Sequence, residues 1–189
     1  MLYLIGIGLG NEKSISVEGS EIIKKCDKVY LENYTSKINM KDNFEKVGRE
    51  FVENFNVLEA KDKDVAFLII GDVFSATTHI SLFNEAKDND VDVKVINNAS
   101  ILTAVGITGL ILYNFGKVAS IPFDNKNVEG PIRILNDNQM INTHTLFLLD
   151  LNPAENKYLS IKEGVKYLEK RGVNTKIIAC ARLGSKDFK

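Results

Sequence analysis

Apolar runs of strand length alternate with stretches of helical spacing along most of this chain, and this alternation limits the possible folds more than any other feature. Strands that alternate with helices form mainly parallel sheets covered on both faces, because each parallel connection needs a long crossover. The pattern therefore predicts an α/β protein, and a hydrophobic content of 44% is enough to bury its core. The predicted strands are Leu2–Ile7, Lys28–Leu31, Val65–Ile70, Val91–Ile96, Val118–Phe123, Thr145–Leu151 and Lys176–Ala181.

Five stretches between these strands predict helices. Ser16–Lys25 is the first, with Ser16 as a candidate N-cap, and residues 39–60 carry apolar side chains at intervals typical of one or two helices. A helix is predicted from Ser100 to Asn114, in spite of two glycines within it. The last two cover about 131–141 and 160–171.

A polar segment with glycine and proline, Phe123–Pro131, follows an abrupt new strand. We therefore predict a domain boundary near Gly116, with one α/β domain over residues 1–116 and a second, shortened one over residues 117–189. The second domain is expected to contain three strands.

Charge and cysteine usage narrow the functional classes. The 24 basic and 25 acidic residues give a net charge of −1, which provides no long-range attraction to nucleic acid or to an anionic membrane. Cys26 and Cys180 lie far apart with no histidine at ligand spacing, which argues against a disulfide framework or a zinc site and favours the cytoplasm. The apolar N-terminal run is much shorter than the ~20 residues that span a bilayer.

The first predicted strand ends in GIGLGNEKSIS, from Gly6 to Ser16. A dinucleotide-binding fingerprint, G-x-G-x-x-G, would need glycine where Asn11 stands, and a P-loop would need a following G-K-[ST]. Two interpretations stay open at this point. Either a ligand passes over the strand end near Leu9, or the glycines only turn the chain.

Small polar residues follow two further strands. GDVFSATTH, beginning at Gly71, places Asp72 where open parallel sheets bind ligands, followed by the hydroxyl residues Ser75, Thr77 and Thr78. An isolated Gly-Asp more often caps the next helix, and His79 is expected to be structural, since no partner stands at metal spacing.

INNASILTAVGITGL, from Ile96 to Leu110, repeats the pattern, and HTLFLLDLN ends a strand in Asp150, which is expected to be structural. Three such strand ends together favour a ligand-binding crevice. No arrangement for covalent or metal catalysis is visible, so an enzyme here would orient an already reactive cofactor against a nucleophile.

Read together, these stretches and the YTS that follows the second strand resemble the diphthine synthase family, S-adenosylmethionine-dependent members of the tetrapyrrole-methylase-like proteins. The resemblance covers most of residues 1–123 and, more thinly, 144–184. It implies two α/β domains with a cofactor cleft between them, a homodimer, and methylation of the amino group of the 3-amino-3-carboxypropyl arm on a histidine of elongation factor two, which gives diphthine. It also implies cofactor contacts at Leu9, Asp72, Ser75, Ser100, Ile101, Leu149 and Leu183.

The sequence departs from the family pattern in three ways. Val73 replaces a usual proline, the region from Ser36 to Ala60 is shorter, and the chain ends at Lys189 before a late Gly-Lys-Leu-His stretch that helps to hold adenosine. Two alternatives to the diphthine synthase function remain. One is a binding module of the same fold without turnover, and the other is a tetrapyrrole methyltransferase.

Overall fold

The computed structural model describes residues 1–36, 38, 40, 44–75 and 78–189. Its backbone contacts divide the chain into two compact units, of which the first contains Met1–Ala104 with Ala181–Lys189 and the second contains Val105–Cys180. The domain boundary near Gly116 remains a prediction.

The first unit is built on a five-stranded sheet with the order β3-β2-β4-β1-β5. All its strand pairs are parallel, and Leu2 at the start of β1 pairs with both Val65 of β4 and Val93 of β5. The elements of this unit are β1 (Leu2–Gly6), α1 (Val17–Ile23), β2 (Lys28–Glu32), β3 (Glu45–Val47), α2 (Arg49–Glu53), α3 (Glu59–Asp62), β4 (Val65–Ile69), α4 (His79–Asp88), β5 (Val93–Ile96) and α5 (Ile101–Ala104).

Alternate residues of the central strands fill two separate cores, because successive strand side chains point to opposite faces. Leu4 and Phe67 lie in one core together with Leu82 of α4. Ile5 and Leu68 lie in the other, against which α1 packs through its isoleucines. The sheet is thus buried on both faces, which confirms the predicted α/β class.

The second unit contains β6 (Ala119–Ile121), α6 (Gly130–Met140), β7 (Phe147–Leu149), β8 (Leu151–Asn152), β9 (Lys157–Tyr158) and α7 (Ile161–Glu169). β6 and β7 are parallel, whereas β8 and β9 form an antiparallel pair. The predicted strand Thr145–Leu151 is interrupted at Asp150, whose carboxylate accepts hydrogen bonds from the amides of Phe123 and Leu151.

Two helix boundaries agree with their sequence signals. The Ser16 hydroxyl accepts a hydrogen bond from the Gly19 amide at the start of α1, as predicted. Ser160 and Glu163 form a reciprocal capping box at the start of α7.

Three sequence predictions were wrong. Within the region expected to be helical, Glu45–Val47 forms strand β3 beside β2, because a sheet edge offers backbone partners that outweigh local spacing. Residues 39 and 41–43 lie outside the described part of the chain. The helix predicted from Ser100 is α-helical only as far as Ala104. A 3-10 turn follows it and stops before Gly109, which adopts a φ of +81°.

The third error is Lys176–Ala181, which is not a strand. Ile177 and Ile178 are exposed, and within the described residues no strand extends the β6–β7 pair toward them. Ala181 instead exchanges two backbone hydrogen bonds with Lys189.

Candidate active site

The carboxyl ends of β1, β4 and β5 meet at one edge of the first unit's sheet. The chain leaving β1 stays beside the chain leaving β4, since Gly8 and Gly71 exchange backbone hydrogen bonds of 3.0 and 2.9 Å. Both glycines have positive φ, +68° and +87°, which side chains strongly disfavour. The strand ends are therefore fixed by their own backbone.

Gly6 and Gly8 are needed for close approach within the protein. A Cβ atom at Gly6 would lie 2.9 Å from the Gly71 carbonyl oxygen, and one at Gly8 would lie 2.9 Å from Oδ1 of Asn98. These contacts are too short for a real side chain, so the glycines are explained without a phosphate group. They turn the chain and also build the edge on which a ligand would lie.

Asn98, which follows β5, connects the chain segments that meet at this edge. Its Nδ2 donates hydrogen bonds of 2.9 Å to the carbonyl oxygens of Gly6 and Ser14, and its Oδ1 accepts one from the Ala99 amide. Sequence reasoning did not single out Asn98. The available signal was the position of an asparagine pair directly after a predicted strand.

Asp72 connects the β4 exit to the same segment. Its Oδ2 accepts a hydrogen bond of 3.0 Å from the Asn98 amide, and its Oδ1 accepts from the Phe74 amide and the Ser75 hydroxyl. Helix α4 starts farther along, with Thr78 at the N-cap position. Asp72 is therefore not the N-cap of the next helix, and it bridges two strand ends instead.

Leu9 and Leu183 lie in neighbouring segments of the first unit. The Leu9 carbonyl oxygen accepts a 2.6 Å hydrogen bond from the Ser14 hydroxyl. A Cβ atom at Gly184, the residue after Leu183, would overlap with the Leu9 side chain, so the two segments are in close backbone contact.

The other expected contact residues divide between the units. Ser100 is buried and packs beside Gly71, and its hydroxyl accepts a hydrogen bond from the Leu102 amide in α5, which begins at Ile101. Leu149 belongs to the second unit, where its side chain contacts Gly164 of α7. Thr77 lies outside the described residues.

A buried acid and imidazole lie behind this edge, and sequence reasoning missed their pairing. Glu32 ends β2 and His79 begins α4, both side chains are fully buried, and Glu32 Oε2 lies 3.5 Å from His79 Nε2. Glu32 Oε1 accepts hydrogen bonds from the Ile70 amide, at 2.8 Å, and from the Thr35 hydroxyl. His79 was expected to be structural, and its contact with Glu32 could not be seen in the sequence because the two residues are far apart along the chain.

Burial changes the ionisation of both groups in opposite senses. It raises the pKa of the Glu32 carboxyl to about 7, although the hydrogen bonds from Thr35 and Ile70 oppose the rise. It lowers the pKa of the His79 imidazole to about 4. Between these values both groups are uncharged, so the contact joins a neutral acid to a neutral imidazole.

Within the described part of the chain, no group of three or more His, Cys, Asp or Glu side chains could hold a metal ion. No helix among the same residues has the length and apolarity needed to cross a membrane. The described edge offers backbone groups, hydroxyls and one carboxylate, which can orient a ligand through hydrogen bonds.

Comparison with known proteins shows the family to which the chain belongs. The model of the family described as Tetrapyrrole (Corrin/Porphyrin) Methylases matches residues 1–189. A diphthine methyl ester synthase of Saccharomyces cerevisiae is 40% identical over 98% of this chain and 75% of its own length. A diphthine synthase of Methanococcus aeolicus is 37% identical over 98% of this chain and 81% of its own length.

A crystal structure of diphthine synthase superposes with a TM-score of 0.86 at 33% identity, covering 99% of this chain and 79% of that one. The predicted resemblance to diphthine synthase, the fold class and the methyltransferase activity are thereby confirmed. The chain belongs to the tetrapyrrole (corrin/porphyrin) methylase family.

Proposed function

We propose that this protein transfers methyl groups from S-adenosylmethionine to the amino group of the 3-amino-3-carboxypropyl-histidine precursor on elongation factor two, giving diphthine. The observation that carries the proposal is the identity of 37–40% to relatives named diphthine synthase and diphthine methyl ester synthase. The polar edge formed by three strand ends supports it, because open parallel sheets bind their ligands there.

The residues at this edge fit adenosylmethionine better than a phosphate-bearing dinucleotide. Helix α1 begins only at Val17, so its N-terminus does not directly follow the glycines as a pyrophosphate site requires. The Asp72 carboxylate has lone pairs beyond those used by its protein donors, and its charge repels phosphate but attracts a cation.

In the proposed mechanism, the residues at this edge bind and orient the cofactor. The sulfonium cofactor supplies an already activated methyl group when bound. Leu9, Asp72, Ser75, Ser100 and Ile101 would hold it from the strand ends of the first unit, with Leu183 beside Leu9. Leu149, which the resemblance also names as a cofactor contact, belongs to the second unit. Orientation of this kind accounts for several kcal/mol of barrier reduction without a covalent intermediate.

The test is methyl transfer to elongation factor two that carries the precursor arm, followed by intact mass. Added methyl masses that depend on adenosylmethionine support the proposal. Cofactor binding without added mass would favour the binding module without turnover, and methylation of a porphyrin or corrin instead would favour the tetrapyrrole methyltransferase. The role of Asp72 in binding the cofactor is tested with the variant Asp72→Ala. Asp92→Ala is the matched control, since Asp92 precedes β5 at the opposite edge of the same sheet and is exposed.

A second product follows from the name of the Saccharomyces cerevisiae relative, a diphthine methyl ester synthase. The same active site would then also methylate the carboxylate of the arm. Mild alkaline hydrolysis separates the two products, because it removes an ester methyl group and leaves methyl groups on nitrogen. Loss of one methyl mass after base treatment would identify the ester.

We also propose that the protein is a cytoplasmic homodimer. Several apolar side chains of the second unit are exposed near its first 3-10 turns, including Ile107, Ile111 and Tyr113, whose side chain is 98% exposed. A second copy of the chain would cover them. Light scattering of the purified protein tests this, and a monomeric mass across the accessible concentration range would contradict it.

A further inference from the structure

The carboxyl group of Glu32 connects three segments of the first unit. Its Oε1 accepts from the Ile70 amide at the exit of β4 and from Thr35 after β2. Its Oε2 lies against His79 at the start of α4. One buried side chain thereby touches the two ends of the loop that contains Asp72.

The hydrogen bond to Ile70 lies where the sheet no longer provides one. The last register pair between β2 and β4 is Leu31 with Leu68, so Ile70 is beyond the ladder. Its amide is buried, and a buried amide without an acceptor loses its hydration with no hydrogen bond in return. The Glu32 carboxyl therefore substitutes for a strand partner immediately before Gly71 and Asp72.

General stability alone does not favour titratable groups at these positions. A well-packed apolar pair of similar volume is often as stable as a buried polar or ionic pair. The placement of Glu32 and His79 next to the β4 exit is instead suited to setting the path of the chain there. That path determines where Asp72 meets the Asn98 amide.

We propose that Glu32 and His79 are positioning residues of the methyl-donor site, which hold the exit of β4 so that Asp72 bridges to the segment after β5. Neither side chain is accessible to substrate, so Glu32 acts through the Ile70 amide and His79 acts through its contact with Glu32. The inference rests on the proposed role of Asp72 in binding adenosylmethionine.

The test compares Glu32→Gln, Glu32→Leu and Leu82→Ala. Glutamine keeps an oxygen for the Ile70 amide and offers an N–H toward His79, whereas leucine removes the acceptor. Leu82→Ala is the matched control, because it vacates a fully packed position on the same helix, α4, in the apolar core. Each variant is measured well below its melting temperature, by calorimetric titration with adenosylmethionine and by steady-state kinetics.

We expect Glu32→Leu to weaken adenosylmethionine binding by about tenfold, which is the effect of losing one well-formed hydrogen bond at the site. Glu32→Gln should restore most of the affinity. Leu82→Ala should lower the melting temperature and leave the affinity of the folded protein unchanged. Wild-type affinity in Glu32→Leu, or an equal loss in Leu82→Ala, would overturn the proposal.

Hydrogen exchange keeps the inference separate from the proposed function. In the ligand-free protein, the Asn98 amide that Asp72 accepts from should exchange faster in Glu32→Leu than in Leu82→Ala, after correction for global stability. Unchanged exchange would reject the positioning role even if adenosylmethionine binds. Absence of adenosylmethionine binding to the wild type would instead reject the proposed function.

Discussion

Replacing either Glu32 or His79 should change the pH dependence of folding stability, and the two changes should have opposite signs. The pKa of Glu32 is about 7 in the folded protein against an ordinary value of 4.5. Between these values the folded protein holds a proton that the unfolded chain has lost, so this group makes stability fall as pH rises.

His79 acts in the opposite direction. Its pKa is about 4 when folded against an ordinary value of 6.5, so the unfolded chain binds the extra proton in this range. Stability from this group is lost as pH falls through 6.5 toward 4. Because the two windows overlap almost completely, the two effects nearly cancel in the wild type.

The size of each effect on folding stability follows from how far the pKa of each group is displaced. At about 1.4 kcal/mol per pKa unit, each corresponds to roughly 3 kcal/mol across its window. Burial is the largest cause for both groups, and both side chains are fully buried, so solvent screening reduces the effect little. Neighbouring Tyr34 does not titrate in this range, since burial raises its pKa to about 12.

Urea unfolding from pH 4.5 to 7 at constant ionic strength provides the assay. Relative to wild type, the free energy of unfolding of Glu32→Gln should rise with pH, because the contribution of His79 is then unopposed. That of His79→Asn should fall with pH. The double variant should run parallel to wild type. Difference curves of the two single variants that are flat or have the same sign would contradict the opposite displacement of the two pKa values.

The remaining predictions concern four single positions, of which Gly130 is the control for Gly116. Asp72→Ala should reduce the free energy of adenosylmethionine binding more than it reduces the free energy of unfolding. Equal free-energy losses in calorimetric titration and in thermal melts would indicate a structural role only. Gly116→Ala should lower the free energy of unfolding by about 2 kcal/mol or more in urea titrations, because its Cβ would overlap with the buried Asn138 amide. Gly130→Ala, in open space in α6, should change that free energy by less than about 1 kcal/mol. Asn98→Ala should cost about 2 kcal/mol in the same titrations, since the partly buried carbonyl oxygens of Gly6 and Ser14 lose their donor.

The central strands and their two-faced burial were predictable from sequence because hydrophobic runs report burial directly. Leu2 to Ile7 and Val65 to Ile70 alternate between the two cores as parallel strands covered on both sides must. The strand at Glu45–Val47 was not predictable, because its conformation depends on the free edge of β2 more than on its own residues. Lys176–Ala181 shows the converse, an apolar run with no strand partner in the described part of the chain.

The positions of candidate site residues were predictable where a polar side chain follows closely after a strand end in the sequence. Asp72 and Ser100 lie within four residues of the ends of β4 and β5, so their position at one edge follows from parallel topology. The contact between Glu32 and His79 was not predictable, because only the fold brings the end of β2 beside the start of α4. Asn98 was missed for a related reason, since its two carbonyl partners belong to the chain after β1.

The alternating glycines after β1 are explained by their neighbours in the fold. Gly6 leaves room for the Gly71 carbonyl, and Gly8 leaves room for the side chain of Asn98. In a dinucleotide site, the same glycine spacing lets the backbone approach a pyrophosphate closely. Alternating glycines after a strand therefore indicate that some group lies close to the backbone, but they do not identify that group. Here the crowding groups are two other strand ends, and the ligand class has to be inferred from Asp72 and from the absence of a helix N-terminus directly after Gly8.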